Sequence, residues 1–202
     1  MLPRAGISGV ILAAGRSSRL GRPKQLLELD GQPLLTHVVR NAVASDLDEV
    51  LLVLGHQAAE IESAVGEWGH RIAVNLNYAE GQSTSVRVGL GAVDPLAEAV
   101  VFLLGDQPQV GPEIIDALIV RFRQTGAPIV MPTYGGIAAN PVLFARDLFP
   151  ELARVSGDEG ARTVVKQHRH QVTEVSVSDG PPPRDVDTEA DYKELLAEMS
   201  PT

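Results

Sequence analysis

The stretch V-I-L-A-A-G-R-S-S-R-L-G-R-P-K, residues 10–24, decides how the rest of the chain is read. It opens as a short apolar run with the character of a buried strand and breaks at Gly15 into a loop. That loop carries Arg16, Ser17, Ser18, Arg19, Gly21, Arg22 and Lys24. Its composition suits a polyphosphate: glycines let the backbone approach a ligand, N–H groups and hydroxyls donate to phosphate oxygens, and the cations offset negative charge. A P-loop is excluded, because five residues separate Gly15 from Gly21 and Pro23 precedes the lysine. Pro23 also disfavours helical dihedrals at Arg22, so the chain is expected to leave the strand as an extended loop. A dinucleotide G-x-G-x-x-G fingerprint is not present either. An ordinary basic surface turn is the plain alternative to a nucleoside triphosphate site.

Composition narrows the classes around that loop. The 202 residues suffice for one well-packed domain and no linker divides them, so a single domain, 1–202, is expected. Cysteine is absent, which excludes thiolate metal sites and cysteine nucleophiles and fits a reducing cytoplasm. The N-terminal apolar run reads as a strand and not as a signal peptide, and no stretch approaches the roughly 20 residues of a membrane helix. A net charge of −9 argues against a nucleic-acid surface and makes the cationic loop stand out locally.

Hydrophobic periodicity then alternates strands with helices along the chain. Strands are expected at 49–54, at 71–76 on an edge, at 99–104, at 128–131 and at 172–177, with an extended piece at 140–144. Helices are expected at 33–44, at 58–65, from the Ser83–Thr84 region onward, at 111–123, in two short pieces at 146–155 and 159–168, and at 188–199. An Asp30–Gly31 turn signal precedes the first helix. This alternation predicts an α/β fold, a Rossmann-like, doubly wound, mostly parallel sheet with right-handed crossovers.

In such sheets ligands gather at the carboxyl ends of the strands, which brings forward the loop after Leu12, Gly55, and Asp106 after Leu104. An aspartate at the end of a buried strand is placed to hold Mg2+, which takes one or two carboxylates plus phosphate oxygens; helix capping is the alternative. Residues 80–85, E-G-Q-S-T-S, place Gly81, Ser83 and Ser85 at a helix N-terminus, either as an anion or base-edge contact or, for Ser83 or Thr84, as a cap. Asp187, in the acidic pair Asp185 and Asp187, is a second carboxylate or a helix cap, and Asp158 reads as a cap beside a helix start. The five histidines have no metal-ligand spacing, and the serines lack a G-x-S-x-G elbow, so zinc and hydrolase chemistry are set aside.

The run L-A-A-G-x-S-x-R-x-G-x-P-K from Leu12 to Lys24 resembles the signature loop of the nucleotidyltransferases, and more narrowly the molybdenum cofactor cytidylyl- and guanylyltransferases. The resemblance extends from Leu12 to Asp191 and implies a fold of the nucleotide-diphospho-sugar transferase type. It implies that Leu12, Ala13, Ala14, Gly15, Arg16, Ser17, Ser18 and Lys24 wrap the triphosphate, that Arg19 and Lys24 hold the departing phosphates, and that Gly55, Gly81, Ser83 and Ser85 contact the nucleotide. Ala14 matches the cytidylyl form, Leu-Ala-Ala-Gly, and so favours CTP. G-D-Q-P at 105–108 is similar to the family's metal-binding segment and D-V-D-T at 185–188 to its D-I-D-T, implying Mg2+ on Asp106 with Asp187 as second metal position. G-D-E-G-A-R at 157–162 resembles a run on the pterin side, which implies substrate contacts for Asp158 and Arg162. Relatives read G-H-P-V-L-F where this chain has A-N-P-V-L-F, so Asn140 replaces a titratable cation with a neutral amide in the acceptor half. The implied reaction joins CMP from CTP to molybdopterin, with a molybdoenzyme as recipient of the product. Another phosphate acceptor (a sugar 1-phosphate, methylerythritol phosphate or phospholactate), a guanylyl donor, or a non-catalytic cofactor-binding accessory protein are the alternatives.

Overall fold

Strands with apolar residues on both faces need cover on both faces, and the computed structural model, which describes residues 6–199, supplies it with helices on each side of one sheet. β1 (Ile7–Leu12) passes through the basic loop and a 3-10 turn (Lys24–Leu26) into a hairpin of β2 (Glu28–Leu29) and β3 (Gln32–Pro33). There follow α1 (Leu34–Val43), β4 (Glu49–Leu54), α2 (Ala58–Val65), β5 (Arg71–Val74), α3 (Gln82–Ala92), β6 (Ala99–Leu104) and α4 (Pro112–Thr125). The chain continues with β7 (Ile129–Tyr134), β8 (Ile137–Ala138), β9 (Val142–Ala145), α5 (Phe149–Leu152), α6 (Arg162–Gln167), β10 (Val172–Ser178) and α7 (Glu189–Met199).

The main sheet runs β10-β7-β9-β6-β1-β4-β5, with β8 paired to β7. β1 is central and parallel to both neighbours, with Val10 opposite Leu51 of β4 and Phe102 of β6. Period-two alternation sorts the core: Ile7 and Ile11, Leu52 and Leu54, and Val101 and Leu103 face α1, α2, α4 and α7. Val10, Leu51, Val53, Val100 and Phe102 face α3, α5 and α6. This is the expected α/β, doubly wound and mostly parallel sheet, and β5 is its edge as expected.

Several boundaries differ from the sequence reading. The extended piece at 140–144 is β9, which lies between β6 and β7 and runs antiparallel to both. β7 continues to Tyr134, three residues past the expected end, because its far portion finds partners in β8 and β10. The region 146–155 holds a 3-10 turn, Arg146–Leu148, and the single turn of α5. Ser83 and Thr84 are not caps: α3 begins at Gln82 with Gly81 at the N-cap, and the Thr84 hydroxyl donates to the Gly81 carbonyl at 2.8 Å. Gly81 has φ +109, and a side chain there would meet the Gly157 carbonyl, so glycine is required. The Asp30–Gly31 signal is a tight hairpin turn, with both residues at positive φ.

Candidate active site

β1 sits where neighbouring connections diverge, toward β4 on one side and β6 on the other, and the cleft lies at the carboxyl ends of these strands. The Gly105 amide donates to the Leu12 carbonyl at 3.0 Å, and a Cβ on Gly105 would lie 2.7 Å from that of Ala13. The loop after β1 and the Asp106 turn after β6 are thereby pressed side by side. A cleft of about 470 Å³ opens over them, lined by Leu12, Ala13, Ala14, Gly15, Arg16 and Lys24 from the first segment and by Asp106, Asp185 and Asp187 opposite. Gly81, Ser85, Asp158 and Arg162 close its third side.

The ammonium of Lys24 bridges two carboxylates, at 2.5 Å from Asp106 Oδ2 and 2.9 Å from Asp187 Oδ1. Arg19 reaches the other oxygen of Asp187 at 2.7 Å, and Arg22 pairs with Glu189 at 2.7 Å. Arg16 lies 5.2 Å from the centre of the Tyr78 ring, a cation–π distance. Burial pushes the Asp106 carboxyl up and the Asp185 and Asp187 charges add to that, outweighing the opposing Lys24 ammonium. Burial alone would lower Lys24, but Asp106 and Asp187 outweigh it and raise the ammonium above its ordinary value. Asp187 loses something to burial and regains more from Lys24 and Arg19, so its carboxyl lies below its usual value. The pocket is thus a tight alternation of acidic and basic groups, which a polyphosphate with its counter-cation can enter by exchange of partners.

Asp106 and Asp187 already share one cation in Lys24, and two carboxylates that converge on one cation suit Mg2+ carried by phosphates in its place. Among the described residues no group of three or more His, Cys, Asp or Glu side chains forms a self-sufficient metal cage. The fit is therefore to a cation completed by its substrate.

The expected site residues do not all meet in the cleft. Ser17 stands behind the loop at φ +53, its hydroxyl accepting from the Lys24 amide at 3.0 Å and its carbonyl from the Leu20 and Gly21 amides. It shapes the loop, and Ser18 and Arg19 are outside the lining. Ser83 is buried, and its amide donates to the Gly157 carbonyl at 3.1 Å. Gly55 is a spacer: a Cβ there would lie 2.8 Å from those of both Ala14 and Tyr78. Asp158 and Asp187 are not helix caps, since α6 starts at Arg162 and α7 is closed by Thr188 with Asp191. Asn140 lines a second cleft.

That second cleft, about 440 Å³, is floored by Phe102, Met131, Val142 and Phe144 and walled by Val165 and Pro182. It shares Leu12, Gln82, Leu104, Arg162 and Asp185 with the first, so the two are contiguous and Arg162 stands at the junction. Sequence reasoning gave no site role to Gln25, Tyr78 or Gln82, and read Asp185 only as the companion of Asp187 in an acidic pair. Only Asp185 carried a signal, the spacing D-V-D, while the others are brought in by folding.

The fold is α/β of the nucleotide-diphospho-sugar transferase type, shared with solved structures at 16–22% identity and TM-scores of 0.71 to 0.78. Residues 9–172 match the MobA-like NTP transferase domain, and the chain belongs to that family of nucleotidyltransferases. Rv0371c of Mycobacterium tuberculosis H37Rv is 39% identical, with a TM-score of 0.84 and coverage of 96% of this chain and 98% of that one. Its structure in complex with manganese superposes with a TM-score of 0.83 at 36% identity, covering 96% of this chain and 100% of that one. The purine catabolism protein PucB of Bacillus subtilis is 30% identical over 95% of this chain and 97% of its own length. A probable molybdenum cofactor guanylyltransferase of Thermococcus gammatolerans is 31% identical over 62% of each chain. Against the bifunctional GlmU of Sorangium cellulosum, 32% identical over 84% of this chain, the chain spans only 37% of the relative's length. Among the described residues no helix is long and apolar enough to cross a membrane.

Proposed function

We propose that this chain, acting as one nucleotidyltransferase unit, transfers CMP from CTP to the terminal phosphate of a molybdopterin-type acceptor and releases pyrophosphate. The observation that carries the reading is the pair of contiguous clefts, one cationic and acidic, one apolar, meeting at Arg162. A polyphosphate fits the first. The apolar floor of the second, Phe102, Met131, Val142 and Phe144, suits a flat heterocyclic body, and Gln107, Asn140, Arg162 and Lys166 supply polar partners in the same lining.

An acceptor phosphate oxygen attacks the α-phosphorus in line, a new P–O bond forms, and the bond to the bridging oxygen breaks as pyrophosphate takes its electron pair. No protein nucleophile is needed, so positioning and charge compensation carry the catalysis. Lys24 and Arg19 exchange their aspartates for the departing phosphates, and Arg162 steadies the acceptor phosphate at the junction. Asp106 and Asp187 would hold Mg2+, which when bound supplies charge neutralisation at the phosphates. The preference for CTP rests on Ala14 and its Leu-Ala-Ala-Gly setting. A cytoplasmic location and delivery of the product to a molybdoenzyme complete the proposal.

The test is pyrophosphate release from each of the four NTPs, with and without molybdopterin. Release from CTP only when molybdopterin is present supports the reading. Release with a sugar phosphate or another acceptor instead moves the substrate, and tight nucleotide binding with no release under any condition makes the chain an accessory protein.

A further inference from the structure

Gln25 belongs to no part of the chemistry described so far, yet it is 1% exposed and packs against the nucleotide loop at the wall of the first cleft. Its Nε2 donates to the Ala13 carbonyl at 2.8 Å and to the Gly15 carbonyl at 3.2 Å. Carbonyls only accept, so these partners fix which end of the side-chain amide faces the loop. Within a trans peptide plane the C=O of one residue and the N–H of the next point in opposite directions. Drawing the Ala13 and Gly15 carbonyls to Gln25 therefore turns the Ala14 and Arg16 amides away from it, and both of these residues line the cleft. Neither amide has an acceptor among the described residues, and the Gly15 amide has none either. The Ala14 carbonyl, whose outward face would repel phosphate, is occupied by the His56 amide at 3.2 Å.

We propose that Gln25 is a positioning residue for the triphosphate: its side-chain amide holds two loop carbonyls back so that the Ala14 and Arg16 N–H groups meet phosphate oxygens. This rests on the nucleotidyltransferase reading of the cleft. With the amide gone, both carbonyls lose their donor and are free to rotate toward the ligand, exchanging attraction for repulsion. One or two charge-assisted hydrogen bonds correspond to roughly a ten-fold or larger change in affinity.

The experiment titrates the wild-type chain, Gln25→Met and Gln25→Glu with inorganic tripolyphosphate, CTP and CMP, and follows the Ala14 and Arg16 amide resonances of the wild type. The expected result is an about ten-fold or larger loss of tripolyphosphate and CTP affinity in both variants, with CMP affinity held within about two-fold because the base and sugar contacts do not involve the brace. In the wild type both amide resonances move on adding tripolyphosphate. Variants that keep wild-type tripolyphosphate affinity, or equal losses for CTP and CMP, overturn the proposal. So do wild-type amides that stay in place, a measurement that decides the matter even if neither variant folds. Should the affinities behave as expected while no NTP yields pyrophosphate with any acceptor, the brace stands and the transfer reading falls.

Discussion

Lys24 reaches Asp106 and Asp187 across 82 and 163 positions of sequence, and both contacts are shorter than 3 Å. A half-buried ammonium between two carboxylates is held by charge-assisted hydrogen bonds, each contributing about 1.5–3 kcal/mol before solvent screening. Lys24→Ala leaves Asp106 without the ammonium that opposes the upward push of burial on its carboxyl, and the fold is expected to persist because Lys24 lies outside the hydrophobic core. Turnover should fall by orders of magnitude while the circular dichroism spectrum stays near that of the wild type; turnover within about ten-fold of wild type would remove Lys24 from the chemistry. Asp106→Ala should abolish both turnover and the nucleotide-dependent binding of Mn2+ followed by electron paramagnetic resonance, whereas unchanged Mn2+ binding would show that this carboxylate is no ligand. The loop, Asp106 and Asp187 were legible as residue types at motif spacing. Their mutual contacts were not, because an ion pair between residues so far apart in the chain leaves no local pattern.

At the scale of elements, α7 illustrates how a cap frees a catalytic candidate. The Thr188 hydroxyl accepts from the Asp191 amide at 3.2 Å and Asp191 Oδ2 accepts from the Thr188 amide at 2.7 Å, a reciprocal capping box. Asp187 is released from capping and turns to Lys24 and Arg19. Hydrogen bonds from the Thr188 hydroxyl, outweighing a small desolvation effect, and from the Asp187 and Thr188 amides hold the Asp191 carboxyl below its ordinary value of 3.8. The unfolded chain therefore takes up the proton first, so this contribution is complete above that value and is lost as pH falls through the folded-state value. Thermal midpoints between neutral pH and about pH 3 should fall more steeply for wild type than for Asp191→Asn, and parallel curves would exclude the linkage.

α3 makes a second case. A Cβ on Gly89 would lie 2.4 Å from Val10 Cγ1 and 3.2 Å from Val53 Cγ2, whereas Gly91 has open space around it. Gly89→Ala should destabilise, as an overpacking cost of about 1–3 kcal/mol outweighs a helix-propensity gain near 1 kcal/mol, and Gly91→Ala should stabilise by about 0.5–1 kcal/mol. Urea unfolding of the two variants checks the contrast, and equal signs would show that α3 does not press on β1 this closely.

For the molecule as a whole, the proposed transfer depends on two clefts of opposite character sharing one wall. Arg162 stands on that wall, so Arg162→Ala should raise the KM for the acceptor about ten-fold while changing that for the nucleotide much less. Steady-state kinetics with each substrate varied in turn would separate the two, and an equal rise in both would place Arg162 on the triphosphate alone.

Periodicity and glycine placement alone determined the α/β alternation, the phosphate-suited loop after β1 and the edge position of β5, because these are written in residues that are neighbours in the chain. The tertiary structure decided that β9 enters the sheet antiparallel between β6 and β7, that the Gln25 side chain donates to two loop carbonyls, and that an apolar cleft adjoins the ionic one. Strand pairing and pocket walls join segments up to 168 positions apart, as Arg19 and Asp187 show, and such contacts are chosen by packing and charge in three dimensions.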